Sequence, residues 1–391
     1  MNRVPGLWRI PGKTGRVLAC ALRAALVGGL AVSSTVGAAP VAVRFGDDPE
    51  VLAFAREVAE RQEIPQATIM RLLKKAVYQP AVLRAIAPPT DPLRRSWQDY
   101  RALFVNTTRI EGGVEFRERN AAVLARAYAE FGVPEEIVVA IIGIETVYGR
   151  NAGNYRVLDA LATLAFHYPP RAKFFRAELE QFLLLTHERS IEPLSVKGSY
   201  AGAIGIPQFM PGSVRRFAID YSGDGRVDLN GNAADAIGSV ANFLARHGWV
   251  RDLPVSWPAA MSASANAAEV QSLLDEGIKP KFLLRDFAAR GVLPAALPTS
   301  DANITIATAP PGEALALALI DLPSRMAPTG YRLGSDNFFA LTRYNRSNFY
   351  AAAVSDLAEE LRARLLARHA GTTPREGPAP RAMLRFSAAP R

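Results

Sequence analysis

The chain has almost no cysteine: one in 391 residues, Cys20, close to the start. If the leader described below is removed, the mature protein has none, which excludes disulfides, thiol catalysis and cysteine-based zinc sites. Histidine is nearly as scarce. The four (His167, His187, His247 and His369) show no metal-ligand spacing, and His187 and His247 read as packing or surface residues. There is no glycine-rich phosphate loop, no nucleophile elbow, no internal repeat, and no apolar run long enough to span a membrane. Positive charge in the middle of the chain is scarce too, despite a formal net charge of +9. Arg3, Arg9, Lys13, Arg16 and Arg23 sit in the leader, and Arg375, Arg381, Arg385 and Arg391 sit in the tail with only Glu376 against them. The middle is therefore close to neutral, which argues against a nucleic-acid partner.

The first 38 residues read as a secretory signal peptide. A basic segment leads into apolar residues 24–32, and small residues follow, with Val36-Gly37-Ala38 as the cleavage site. An exported chain without disulfides suggests a bacterial periplasm. Anchoring as an outer-membrane lipoprotein through Cys20 is the less favoured reading. Val17-Leu18-Ala19 fit a lipidation signal poorly, and little apolar sequence precedes them.

Beyond the leader the pattern is helical as far as residue 250. Val51, Phe54, Ala55 and Val58 form one stripe and Ile69, Leu72, Leu73 and Ala76 another, with Pro65 between two helices. Residues 88–92 form a stiff proline connector. Trp97, Tyr100 and Phe104 share a helical face, Trp97 and Phe104 as core. One long helix is expected over 113–131. Gly132-Val133-Pro134-Glu135-Glu136 opens a further helix that runs through Ile137 and Ile141 to Glu145 and stops near Gly149. Helices are also expected over 157–166, 173–186, 233–247 and 350–369. Residues 251–335 differ, with many prolines, β-prone runs at 303–306 and 315–320, and one helix near 267–275. They read as a small β-containing insertion. Residues 371–391 read as a disordered basic tail.

Three stretches carry the chemistry. In AIIGIETVYGR, residues 140–150, Glu145 closes an apolar run. Desolvation among Ile142, Ile144 and Val147 disfavours the ionised form, and so does the negative end of the helix dipole. A carboxyl kept protonated near neutral pH is what a general acid requires. The second stretch, KGSYAGAIGIPQFMPGS over 197–213, surrounds Gln208 with glycines, which admit tight turns and close ligand approach. The third, DYSGDGRVDLNGNAAD over 220–235, sets Asp220, Ser222, Asp224 and Arg226 (through its carbonyl) at the first four odd positions of an EF-hand-like loop, with Gly225 at the turn. Position twelve is Gly231, so the closing acid would be Asp235, in a lengthened and weaker calcium loop.

These motifs, together with TRYNRSNFYAAAV near the C-terminus, resemble the B-type lytic murein transglycosylases, periplasmic enzymes that cleave peptidoglycan. The resemblance covers roughly residues 45–368. It implies a mainly α fold: a goose-lysozyme-like core, an extra α domain and a small β-containing insertion domain. The corresponding partition is an α domain over 39–98, a catalytic core over 99–250 resumed over 336–370, and a β-containing domain over 251–335. It also implies that Glu145 is the single catalytic acid, that Ser199 and Gln208 orient it and line the cleft, and that Tyr100, Tyr344, Asn345 and Tyr350 position sugar and stabilise the developing cation. Arg171 matches a basic residue that contacts substrate, although Pro170 stands where the family often has a second basic residue. The calcium loop falls on Asp220, Ser222, Asp224, Arg226 and Asp235, with Ca2+ structural and no cofactor required for chemistry.

Glycosidases generally use two carboxyl groups. Glu192 is the candidate for a second, but nothing in the sequence places it across a cleft from Glu145. The resemblance implies one-carboxylate chemistry instead, ending in a 1,6-anhydromuramoyl product. The alternatives are a hydrolytic muramidase and a non-catalytic glycan- or calcium-binding protein. The expected partners are peptidoglycan glycan strands and proteins of cell-wall synthesis or hydrolysis, with the enzyme a monomer.

Overall fold

The computed structural model describes residues 45–87, 96–295 and 311–371. The leader with Cys20, the connector at 88–92, the run at 303–306 and the tail beyond 371 lie outside the described residues.

The chain opens on α1 (Pro49–Arg61), where Asp48 accepts the Glu50 N–H at 2.8 Å and proline fills the first turn. Its stripe Val51, Phe54, Ala55 and Val58 is buried as the spacing predicts. Two short helices follow, α2 (Gln66–Leu73) and α3 (Pro80–Ile86). The third was not foreseen, because seven residues carry too little periodic pattern.

Next come α4 (Trp97–Phe104), α5 (Thr107–Arg119) and α6 (Ala121–Phe131). The single helix expected over 113–131 is thus two. Asn120 leaves the helical region at φ −117°, ψ 19°, and its side-chain amide donates to the Phe116 carbonyl at 2.7 Å. Asparagine competes with the helix ladder in just this way.

α7 (Glu135–Thr146) is the axis of the molecule. It is buried from Ile137 to Ile144, and α5, α6, α11 (Ala233–Arg246) and α15 (Asn348–Gly371) pack around it. A helix apolar on all sides is stable in water only when enclosed this way. α8 (Val157–His167) and α9 (Ala172–Glu188) form a second packed pair, with α10 (Pro211–Phe217) against α9. Between these helices, β1 (Tyr155–Arg156) and β2 (Lys197–Gly198) pair antiparallel.

The β-containing region holds β3 (Ser256–Met261), α12 (Ala267–Asp275), α13 (Leu284–Ala288), β4 (Val292–Pro294), β5 (Ala318–Leu322) and β6 (Gly330–Gly334). The strands form an antiparallel sheet in the order β4-β3-β6-β5. β5 alternates between two cores. Ala318, Ile320 and Leu322 face the large helical core, while Leu319 joins Trp257, Phe287, Val292 and Leu333 in a separate small one.

α14 (Asp336–Tyr344) then returns the chain to the helical body. Asp356 on α15 fastens the sheet to it by accepting from Arg101 of α4 at 2.6 Å and Arg332 of β6 at 2.5 Å. Two guanidinium partners offset the cost of a carboxylate that is only 6% exposed. Among the described residues no helix is long and apolar enough to cross a membrane.

Candidate active site

Glu145 lies in the last turn of α7, and the backbone just beyond it is unusual. Val147 and Tyr148 both adopt positive φ, at 51° and 61°, an uncommon state for a β-branched or bulky residue. Four hydrogen bonds hold it. The Tyr148 hydroxyl donates to the Arg109 carbonyl at 2.6 Å, and the Arg109 guanidinium donates to the Gly143 carbonyl at 3.0 Å. The Thr146 hydroxyl bonds the Ile206 carbonyl at 2.8 Å and accepts the Gly149 N–H at 2.9 Å. The Tyr148 ring fits because glycine faces it: a methyl group on Gly113 would stand 2.5 Å from its hydroxyl, and one on Gly143 would collide with the same ring. The apolar-acid motif therefore fixes the end of α7 from both sides, against α5 and against the glycine-rich segment.

Glu145 is half-buried as a residue, and enough protein surrounds its carboxyl to raise its pKa to about 7. Burial is the main cause. A hydrogen bond from the Tyr350 hydroxyl to Oε1, at 2.7 Å, pulls the other way by favouring the carboxylate. No second carboxylate contributes. Glu192, the one alternative in the sequence, is exposed, and its carboxyl accepts the Leu194 N–H at 3.2 Å.

The expected tyrosines converge here, with distinct attachments. Tyr350 is 1% exposed and stacks on Tyr344 at 6.2 Å between ring centroids, 12° from parallel. The Tyr344 hydroxyl donates to the Pro207 carbonyl at 2.5 Å, so it braces the glycine-rich loop. Burial and the Glu145 charge hold both phenols well above their usual pKa. Tyr100 is half-buried against Phe104 and Phe349, at 4.8 and 5.5 Å. Burial first and the Glu145 charge second push its pKa to about 12. Its hydroxyl is uncommitted among the described residues, which leaves it the phenol available to a ligand beside the acid.

Ser199 and Gln208 bond the backbone of their own segment and its neighbour, and neither makes a hydrogen bond to the Glu145 carboxyl among the described residues. The Ser199 hydroxyl accepts the Ala203 N–H at 3.1 Å, and the Gln208 amide donates to the carbonyls of Ala152 and Gly205, both at 3.0 Å. Gln208 itself sits at φ 52°. Both residues shape the loop, because a chain this rich in glycine needs side-chain bonds to hold one conformation, and the Glu145 carboxyl takes its hydrogen bond from Tyr350. Asn345 is exposed at the end of α14, where its carbonyl accepts the Ser347 N–H at 2.7 Å. Arg171 is exposed before α9 and lies over Phe174 and Phe175 at 4.5 and 5.0 Å, with no contact to Glu145 or its tyrosines. Thr146, Tyr148 and Arg109 were not singled out in the sequence. The glycines at 112, 113 and 143 that accommodate the Tyr148 ring are their only trace there.

In the aspartate loop, Asp220 accepts the N–H groups of Gly223, Asp224 and Gly225 at 2.7, 3.2 and 2.7 Å, and the Ser222 hydroxyl at 3.2 Å. Asp224 accepts the Arg226 N–H at 2.9 Å. Asp235, the expected closing ligand, also bonds the backbone of the loop. It is fully buried, and its two oxygens take the N–H groups of Tyr221, Ser222 and Asp228 at 2.9, 2.8 and 2.8 Å. It is a staple between α11 and the loop. Among the described residues no three acidic, histidine or cysteine side chains converge as a metal site. The donors of the loop, carboxylates, a hydroxyl and a carbonyl, suit a hard cation such as calcium.

Comparison with known proteins places the chain in a family. The family model described as Transglycosylase SLT domain matches residues 46–359. Membrane-bound lytic murein transglycosylase B of Escherichia coli (strain K12) is 37% identical over 326 residues, 81% of this chain and 83% of that protein. The crystal structure of soluble lytic transglycosylase SltB1 from Pseudomonas aeruginosa superimposes with a TM-score of 0.70 at 40% identity, over 81% of this chain and 99% of that one. Escherichia coli lytic transglycosylase Slt35 in complex with calcium does so with a TM-score of 0.68 at 35% identity, over 82% and 95%. With most of its length matched by the model and by relatives of this similarity, the chain belongs to the transglycosylase SLT family, the lytic transglycosylases of peptidoglycan.

Proposed function

We propose that Glu145 is the sole catalytic carboxyl and acts first as acid, then as base, on the β-1,4 bond between N-acetylmuramic acid and N-acetylglucosamine. The observation that carries this is a carboxyl with a pKa of about 7, one phenolic donor and no carboxylate partner. Protonated Glu145 donates to the glycosidic oxygen as the C1–O bond breaks. The 2-acetamido group and the Tyr100 hydroxyl stabilise the cationic sugar. Glu145, now ionised and held by Tyr350, takes the proton from the sugar's own C6 hydroxyl, whose oxygen closes onto C1. The product ends in 1,6-anhydromuramic acid and no water is consumed. Keeping the nucleophile on the same sugar makes the closing step intramolecular. Tyr344, Ser199 and Gln208 shape the cleft wall, and Asn345 and Arg171 serve outlying parts of the glycan.

The test is mass spectrometry of digested murein. Anhydro ends, lighter than reducing ends by one water, are expected. Reducing ends would make the enzyme a hydrolytic muramidase, and no digestion would make it a non-catalytic binding protein.

The catalytic core is read as residues 99–250 resumed at 336–370, since Tyr350 and Glu145 meet only when the two segments pack together. The aspartate loop is read as a weak structural calcium site on Asp220, Ser222, Asp224, the Arg226 carbonyl and Asp235. The calcium complex of Slt35 supports it, and no chemical step passes through it. Calcium should raise the melting temperature of the wild type and not of Asp224→Ala; equal behaviour would remove the site. The setting is read as periplasmic, with export by the leader, and the working form as a monomer.

A further inference from the structure

The helix that carries Tyr100, α4, is tied down along its length. At its start the Trp97 N–H donates to the Pro323 carbonyl at 2.7 Å. In its middle Arg101 donates to Asp356 of α15 at 2.6 Å. Its end is joined to α7 by a side chain from a third helix, Arg109 of α5. The Arg109 guanidinium donates through Nη1 to the Leu103 carbonyl at 2.9 Å and through Nε to the Gly143 carbonyl at 3.0 Å. Leu103 lies in the last turn of α4, and Gly143 lies in the last turn of α7, just before Glu145. One guanidinium thus bridges the helix that bears the phenol and the helix that bears the acid.

Arg109 is half-buried, and its guanidinium is bonded to carbonyls, not to a carboxylate, among the described residues. Burial lowers its pKa, and the Tyr148 phenol opposes the shift. The last turn of a helix carries the negative end of its dipole, and two such ends facing one cation offset the cost of burying it. A planar fork with donors on separate nitrogens reaches both carbonyls, whereas an ammonium is a single point of charge. The guanidinium also lies over the Phe104 ring, 5.2 Å from its centroid, and Tyr100 packs against the same ring at 4.8 Å. Tyr100 therefore rests, through Phe104, on the group that is bonded to α7. The Glu145 charge reaches the Tyr100 phenol. Burial and the Tyr350 bond set the pKa of Glu145 itself, so what is left to Arg109 is geometry.

We propose that Arg109 is a positioning residue that holds the Tyr100 hydroxyl at a fixed distance from the Glu145 carboxyl. This rests on the reading of Tyr100 as the phenol that stabilises the cationic sugar. Such a dipole lowers the barrier only if it is in place before the charge develops. Slack between the ends of α4 and α7 would leave the phenol to reorganise during the reaction.

The test is Arg109→Lys in the full chain, alone and combined with Tyr100→Phe, on soluble glycan strands. The main-chain bonds of Arg109 to Asn106 and Tyr148 survive the substitution, so the variant should fold. Arg109→Gln, which keeps one neutral donor, is a second variant with the same expectations. kcat should fall about tenfold or more with KM little changed, and the alkaline limb of the pH–rate profile should stay in place. In the Tyr100→Phe background the same substitution should change kcat by less than about twofold, because the phenol it positions is gone. An unchanged kcat, equal losses in both backgrounds, or a displaced alkaline limb would overturn the proposal. If the wild type does not cleave, or Tyr100→Phe alone leaves kcat unchanged, the functional reading is what fails. Crystal structures then still decide Arg109: the separation of Tyr100 from Glu145 should be wider in Arg109→Lys than in the wild type, and an equal separation counts against it.

Discussion

Replacing Glu145 with Gln should abolish strand cleavage and, at neutral and alkaline pH, make the protein more stable. The side chain keeps its shape and loses only its ionisation. In the native state the carboxyl has a pKa of about 7 against an ordinary value of 4.5. Between those values the unfolded chain releases a proton that the native one retains, so wild-type stability falls as pH rises through this window. Below pH 4 both states are protonated and the contribution vanishes. By linkage, the variant's advantage over wild type should grow by about 2 kcal/mol between pH 5 and pH 8. Any fixed difference between Gln and a protonated Glu does not depend on pH and leaves that growth unchanged. Glu359, also raised to about 7, mainly by burial, titrates in both proteins and cancels in the comparison. Urea unfolding of the two proteins at several pH values measures it. A stability difference that stays flat across the window would mean that Glu145 is not held protonated by its surroundings, and the general-acid argument would lose its physical basis.

Tyr350→Phe removes the hydroxyl that favours the Glu145 carboxylate. The alkaline limb of kcat/KM should move to higher pH by about one unit. A pH–rate profile with an unmoved limb, or one displaced toward acid, would show that the 2.7 Å bond does not tune the acid. Asp235→Ala leaves the N–H groups of Tyr221, Ser222 and Asp228 without their acceptor. Stability should drop by about 3 kcal/mol in urea unfolding, and calcium should not restore it. A variant as stable as the wild type would argue against the staple.

What the sequence determined by itself was whatever depends on local pattern. The helices over 135–146, 157–167, 172–188 and 233–246 follow from periodic apolar residues and cap signals, and α12 was read at its observed bounds. Glu145 was legible because an acid ending an apolar run is unusual in any fold. The break at Asn120 and the short α3 were not legible, since each turns on one side-chain bond or on packing that a seven-residue segment cannot announce. The site's wiring was decided only by tertiary structure. Tyr350 lies 205 residues from Glu145 in the chain and supplies its hydrogen bond, a pairing that no spacing rule encodes. Ser199 and Gln208 carried the right residue types in the right segment. Where their polar atoms pointed depended on which backbone groups the glycine-rich loop brought within reach. Asp235 shows the same division. Its place in the aspartate loop could be read from spacing. That its two oxygens close on three backbone N–H groups follows from its burial at the start of α11, where a carboxylate must satisfy itself within the protein.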